Sequence, residues 1–281
     1  MTNILIIKHG SLGDLIQAIG AMEDIKKSKP KSHVVLLTSP AYFNLMHKCP
    51  FIDEVIIDKR LPRWNLFYLL KLKKKLLYYN FSHIFDLQNS KRTEFYSKFL
   101  LKKSIWSWTI TTLEPSQKKS DFDEEPVLER MEIQLKKSGI KTVNVKKSNL
   151  NWALVNIRNI TKNHFNGKYI LIFPFCSIKL IDKKWPYYSI LISRLRSKYK
   201  GKYDIVIAPG PNEIKEAKKY NAHILLDSGK SLNLNQLITL IKEASFIISN
   251  DTGPAHICSH MEKSGLVLFG SHTSAHKVSI E

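Results

Sequence analysis

Phe246-Ile247-Ile248-Ser249-Asn250-Asp251-Thr252-Gly253-Pro254-Ala255-His256 decides how the rest of this chain is read. The apolar, β-type run 246–248 empties into small polar residues, and Gly253-Pro254 opens a segment that reads as helical through Met261. Proline is favoured in the first helical turn, where its missing N–H costs nothing. The stretch therefore predicts strand, tight turn and helix, with the first amides of the helix pointing outward as an anion site. Asp251, Thr252 and His256 lie beside that site, and a phosphate-bearing ligand suits its chemistry. Against this stand two plainer readings: His256 packs within the helix, and Asp251 only holds the turn.

The same alternation extends outward in both directions. Strands are predicted at 4–7, 34–37, 55–57, 84–86, 169–173, 205–208, 224–226, 246–249 and 266–269. Helices are predicted at 14–27, 41–48, 65–79, 93–101, 124–137, 187–198, 213–220, 234–244 and 254–261. Short apolar strands alternating with helices imply parallel sheets built of βαβ units. The polar stretch Lys141–Gly167 holds no convincing long element and takes the domain boundary, giving domains 1–150 and 151–281. Two doubly wound domains facing one another put a ligand cleft at the carboxyl ends of their strands.

Bulk properties narrow the class. The 281 residues suit two domains, and 43% hydrophobic content suits a globular chain. No apolar run approaches the roughly 18 residues of a membrane span. The N-terminus is too short in apolar residues for a signal peptide and reads as a first strand. Cys49, Cys176 and Cys258 are scattered, without metal-ligand or disulfide spacing, which suits a reducing cytoplasm. The net charge of +20 favours nucleic acid, anionic membranes or acidic substrates as partners, although a Lys-, Ile- and Asn-rich composition produces such a charge without any function. No RNP, zinc-finger or helix-turn-helix pattern accompanies it, so nucleic acid is set aside.

Four more loops carry chemistry. Lys8-His9-Gly10-Ser11-Leu12-Gly13-Asp14 joins a strand to a helix, but lacks the G-x-G-x-x-G spacing of a dinucleotide site and the Gly-Lys-Ser/Thr of a P-loop. Asp14 at the helix start is placed to take a proton from a sugar hydroxyl, or simply to cap the helix. Phe173-Pro174-Phe175-Cys176-Ser177 leads to Lys183-Lys184-Trp185-Pro186, whose lysine suits a diphosphate as a point charge or stands as a solvated loop residue. Ala208-Pro209-Gly210-Pro211-Asn212-Glu213 offers a carboxylate for a ribose or a helix cap. Asp227-Ser228-Gly229-Lys230 follows a fourth strand.

In this order, 8–14, 183–186, Gly229-Lys230-Ser231-Leu232 and 250–256 resemble glycosyltransferase family 9, the ADP-heptose:lipopolysaccharide heptosyltransferases. Asp86-Leu87-Gln88-Asn89-Ser90 resembles the family's Asp-x-Gln segment. The resemblance runs over nearly the whole chain. It implies a GT-B fold, an N-terminal acceptor domain and a C-terminal nucleotide-sugar donor domain, and inverting, metal-independent transfer with no cofactor beyond the ADP-sugar co-substrate. It places the catalytic carboxylate on Asp14. Donor contacts fall on Ser177, Lys183, Glu213, Asp251, Thr252, Gly253 and His256, and acceptor-side contacts on Ser11, Gly13 and Gln88. The resemblance also implies an anionic lipopolysaccharide-type acceptor and a cytoplasmic setting. Set against the family pattern, the end at Glu281 reads as a shortened C-terminal end, so a nucleotide-sugar-binding protein without transfer is the competing reading. The basic segment Lys59-Arg60-Leu61-Pro62-Arg63-Trp64 precedes a helix with Lys71, Lys73, Lys74 and Lys75. With Leu66, Leu69, Leu70, Leu76 and Leu77 as its apolar face, this element suits either peripheral contact with the inner membrane or a normal domain helix with solvated lysines.

Overall fold

The apolar runs read above become parallel strands, buried on both faces in the middle of each sheet and more exposed at the edges, as continuous hydrophobic central strands require. The computed structural model describes residues 2–162, 165, 167–271 and 273–280. The chain divides into two compact units, Met1–Trp152 and Ala153–Glu281. The first holds β1 (Asn3–Ile7), β2 (His33–Thr38), β3 (Glu54–Ile57), β4 (His83–Asp86) and β5 (Ile105–Ser107), in the order β3-β2-β1-β4-β5. The second holds β6 (Tyr169–Phe173), β7 (Asp204–Ile207), β8 (His223–Ile224), β9 (Phe246–Asn250) and β10 (Gly265–Leu268), in the order β10-β9-β6-β7-β8. Every pairing is parallel: Ile6 sits between Leu36 and Phe85, and Ile172 between Ile207 and Ile248. Winding reverses between β1 and β4 in one sheet and between β6 and β9 in the other. Those are the switch points where open α/β sheets bind ligands.

The helix Leu12–Ser28 shows how the first unit is held. Most of its residues are buried, and Gly20 is pressed so closely by residues 144–145 that an added Cβ would lie 2.0 Å from the Asn144 carbonyl oxygen. Asp24, buried on the same helix, accepts from the backbone amides of Val143, Asn144 and Val145 at 2.9–3.0 Å. The polar residues 141–152, which lack any periodicity of their own, are thus fastened along this helix, chiefly by the Asp24 carboxylate and also by Ser148, which accepts from the Gly20 amide and donates to the Ile16 carbonyl.

Several elements differ from the sequence expectation. The helix predicted at 124–137 is two helices, Lys119–Glu124 and Val127–Lys137, because Pro126 forces Glu125 into extended backbone. The segment 41–48 is a 3₁₀ turn, Pro40–Tyr42, followed by the short helix Phe43–Met46. The helix expected at 213–220 shrinks to Ile214–Ala217. The edge strand β5 has only three residues, too few for periodicity to show.

Candidate active site

In the first unit, β1 delivers Lys8 and His9 to the switch point. Gly10 then takes φ +93° beneath Tyr42, whose ring lies 2.4 Å from where a Cβ would stand, so glycine is required there. Ser11 is the N-cap of the helix Leu12–Ser28, and Gly13 is buried in its first turn. Both the Ser11 amide and its hydroxyl donate to Asp14 Oδ2, at 2.8 and 2.9 Å. Asp14 therefore caps the helix, while its Oδ1 has no hydrogen-bond partner among the described residues.

β4 supplies the facing wall. Gln88 Oε1 accepts from the amides of His9 (2.9 Å) and Gly10 (3.2 Å), which ties the two loops together. Asp86 Oδ1 accepts from the amides of Gln88 and Asn89. Burial raises the Asp86 carboxyl above its ordinary range, against hydrogen bonds from Thr93, Asn89 and Gln88 that oppose the shift. Lys8 Nζ is buried and donates to the Leu87 carbonyl at 2.8 Å. Burial lowers its pKa; Asp14 and Asp86 work against this and Arg130 adds to it. Lys8, Asp14, Gln88, Arg130 and Gln134 line a pocket of about 150 Å³. The Arg130 Nε is buried there without a hydrogen-bond partner among the described residues.

Beneath this wall His9 Nε2 meets the buried Asp58 carboxylate at 2.8 Å. Burial works to raise the Asp58 pKa, but hydrogen bonds from His9, Tyr68 and Tyr96 outweigh it and hold the group far below the ordinary carboxylate range. Sequence reasoning did not single out Lys8, Asp58 or Arg130 as site residues. Lys8 was quoted as the first residue of the 8–14 motif without a role of its own, and the others have no local signal.

In the second unit, β6 runs into Pro174-Phe175-Cys176-Ser177 and then short 3₁₀ turns over Ile178–Lys183. Lys183 Nζ lies 2.6 Å from Asp251 Oδ2 and 3.4 Å from the Asp251 carbonyl, so the ammonium is anchored rather than solvated. Asp251 is itself buried at the end of β9, and His256 Nε2 approaches its Oδ1 at 3.7 Å. Its neighbour Asn250 bridges the loops: Oδ1 accepts from the Trp185 amide and the Tyr188 hydroxyl, and Nδ2 donates to the Phe175 carbonyl. Thr252 caps the helix Gly253–His260 in extended backbone, with Pro254 in the first turn. The amides of Thr252 and Gly253 have no hydrogen-bond partner among the described residues.

The structure brings Asp14, Ser11, Gly13 and Gln88 together at one switch point. At the other it gathers Lys183, Asp251, Thr252, Gly253 and His256. Ser177 sits on the loop after β6 with its hydroxyl exposed. Glu213 belongs to the loop after β7, where its carboxylate takes the Gly210 amide at 2.7 Å. Burial raises its pKa, with the Gly210 bond opposing. Lys184 forms an ion pair with Glu216 nearby. Asp227-Ser228-Gly229-Lys230 is a tight turn with positive φ at Ser228 and Gly229, closed by reciprocal Asp227–Lys230 backbone bonds. Among the described residues no group of three or more His, Cys, Asp or Glu is arranged to hold a metal.

Residues 69–278 match the family model of glycosyltransferase family 9 (heptosyltransferase). The chain belongs to glycosyltransferase family 9. It is a glycosyltransferase by membership. The lipopolysaccharide heptosyltransferase 1 of Campylobacter coli is 22% identical over 314 aligned positions, covering 99% of this chain and 87% of that protein. A Haemophilus influenzae protein described as a glycosyltransferase is 42% identical, but over 60 residues only, 21% of this chain and 17% of that protein. Escherichia coli heptosyltransferase WaaC, solved with ADP-2-deoxy-2-fluoro heptose, shares the fold with a TM-score of 0.71 at 17% identity, covering 97% of this chain and 90% of that one. The two five-stranded parallel sheets are thus the pair of Rossmann-like sheets of a GT-B transferase.

Proposed function

We propose that this family 9 protein moves a heptose from ADP-heptose to an anionic lipopolysaccharide-type acceptor, with inversion at the anomeric carbon and without a metal. The observation that carries the reading is the anchored Lys183 ammonium together with the unpartnered amides of Thr252 and Gly253 at a helix N-terminus. Such a cradle suits the charge that grows on a leaving diphosphate. The donor role falls to the second unit. Lys183 offers its remaining N–H to the diphosphate, Asp251 positions Lys183 from a buried place, and His256 backs Asp251. Glu213 and Ser177, on the neighbouring loops, are assigned to the rest of the donor.

The acceptor role falls to the first unit, where Ser11, Gly13 and Gln88 shape the loop around Asp14. Asp14 Oδ1 takes the proton of an acceptor hydroxyl as that oxygen bonds to the anomeric carbon. The bond from that carbon to ADP breaks on the opposite face, and the electron pair leaves with the β-phosphate. Two cations, Lys8 and Arg130, line the pocket beside Asp14, and the Arg130 guanidinium, steadied through Nη1 by Asp123 at 3.4 Å, suits a carboxylate or phosphate on the acceptor. With such a nucleotide-sugar donor, we assign the reaction to the cytoplasm.

The test is a donor panel of ADP-, GDP- and UDP-sugars with mass-spectrometric detection, in the presence and absence of core acceptors. The expected result is ADP release from ADP-heptose that requires an acceptor. Saturable donor binding with no turnover on any core acceptor would overturn the assignment.

A further inference from the structure

The helix Leu66–Tyr78 buries Leu69, Leu72 and Leu76 against its sheet, with Tyr68 packed beside them. The expected single apolar face is therefore corrected: Leu66, Leu70 and Leu77 turn outward. Beside them stand Phe67 (82% exposed), Tyr78 (86%) and, on the preceding loop, Trp64 (79%). Lys71, Lys74 and Lys75 are exposed on the same outward side. From Lys59 to Tyr79 the chain carries seven cationic residues (Lys59, Arg60, Arg63, Lys71, Lys73, Lys74, Lys75) and no acidic one. Isolated exposed leucines are ordinary, but a contiguous apolar and aromatic face marks an interaction surface.

A pocket of about 340 Å³ adjoins this face, lined by Lys73, Leu77, Phe99, Lys102 and Lys103 among others. Lys102 Nζ lies over the Phe99 ring, 5.9 Å from its centroid. The pocket's loop residues Asn80 and Lys102–Ser104 directly precede β4 and β5, so it opens at the amino ends of those strands. Lys8, Asp14 and Gln88 lie beyond the carboxyl ends, so the pocket is separate from the candidate active site.

We propose that this face is a membrane-docking surface that lies flat on the anionic lipids of a bilayer and seats a lipid phosphate among Lys73, Lys102 and Lys103. The chemistry selects that occupant. A helix lying in a membrane interface sinks Trp, Phe and Leu toward the acyl chains and keeps lysines at the headgroups. A second copy of the chain fits poorly, because a two-fold contact sets the same patch against itself and would oppose lysines to lysines. The attraction of each lysine near an anionic surface corresponds to about fivefold in binding.

Flotation of the full chain with vesicles tests this independently of any transfer activity. Binding is expected to phosphatidylcholine–phosphatidylglycerol vesicles but not to phosphatidylcholine alone, and it weakens with added salt. The triple variant Lys71→Gln/Lys74→Gln/Lys75→Gln should bind about a hundredfold more weakly, from the same per-lysine attraction. The variant Phe67→Ser/Leu70→Ser should lose at least about tenfold through its apolar contacts. Both change exposed positions, and circular dichroism checks that they fold. Excess glycerol phosphate should leave vesicle binding in place. Equal flotation with neutral vesicles, unchanged binding in either variant, or displacement by glycerol phosphate overturns the proposal. So does a dimer that Phe67→Ser/Leu70→Ser dissolves while flotation stays the same.

Discussion

Both units wind five parallel strands in the same order, and each leaves a switch point between its first and fourth strands. They fill that place differently. In the first unit, bonds to backbone and hydroxyl groups close it: Gln88 holds the His9 and Gly10 amides, Lys8 is spent on a backbone carbonyl, and Ser11 fixes Asp14. In the second, an ion pair between Lys183 and Asp251 stands beside open amides. One scaffold thus yields a stiff setting for a single carboxylate oxygen in one copy and an electrostatic cradle in the other. The difference comes from the residues just past the strand ends, since the strands themselves are interchangeable apolar runs.

The largest effect expected from this contrast is on turnover. Asp14→Asn keeps the Ser11 cap geometry but removes the proton acceptor, and should lower kcat about 10³-fold, on the order of 4 kcal/mol, with donor KM little changed. Steady-state kinetics check this, and near-wild-type turnover would leave Asp14 as a cap only. Gly20→Ala sharpens the comparison through stability. The Cβ meets the Asn144 carbonyl, so denaturant unfolding should show the first unit weakened by about 3 kcal/mol and the second untouched.

The second unit has its own signature in pH. His260, shielded from solvent near His256, has its pKa lowered from 6.5 to about 4, burial first and His256 second. Its neutral form is favoured by folding, so the unfolded chain takes up the proton first as pH falls. Stability from this group is complete above about pH 6.5 and is lost between there and about pH 4, up to about 3 kcal/mol in all. Thermal melts across that window should show the loss in wild type and a flatter profile in His260→Leu. A smaller effect belongs to the acceptor. Arg130→Met should raise acceptor KM about thirtyfold through loss of a charged hydrogen bond of roughly 2 kcal/mol, leaving donor KM unchanged. Equal changes in both would remove Arg130 from the acceptor side.

Much of this was legible from residue order. Strands buried on both faces read as unbroken apolar runs, so β1, β2, β6 and β9 stand out, and the loops after them could be picked as ligand sites. The edge strand β5 could not, because Ile105–Ser107 is too short to show a pattern. The lone Pro126 was present in the sequence, yet a long amphipathic window outweighed it. The pairing of Lys183 with Asp251, 68 residues apart, has no local trace. Neither does the turning of Arg130 toward the pocket beside Asp14, because both depend on which loops the sheet order makes neighbours. The apolar face of the helix Leu66–Tyr78 was misjudged for a related reason: leucines on both sides of a helix do not reveal which side the sheet takes.

The central claim is that the second unit's switch point holds the donor diphosphate, and an ADP titration by calorimetry tests it most directly. Wild type and Asp14→Asn should bind ADP alike. Lys183→Met should bind at least about tenfold more weakly, the loss of a charged hydrogen bond, while thermal melts of the same samples confirm that the variant is folded. Unchanged ADP affinity in a folded Lys183→Met, or an equal loss in Asp14→Asn, would contradict the account.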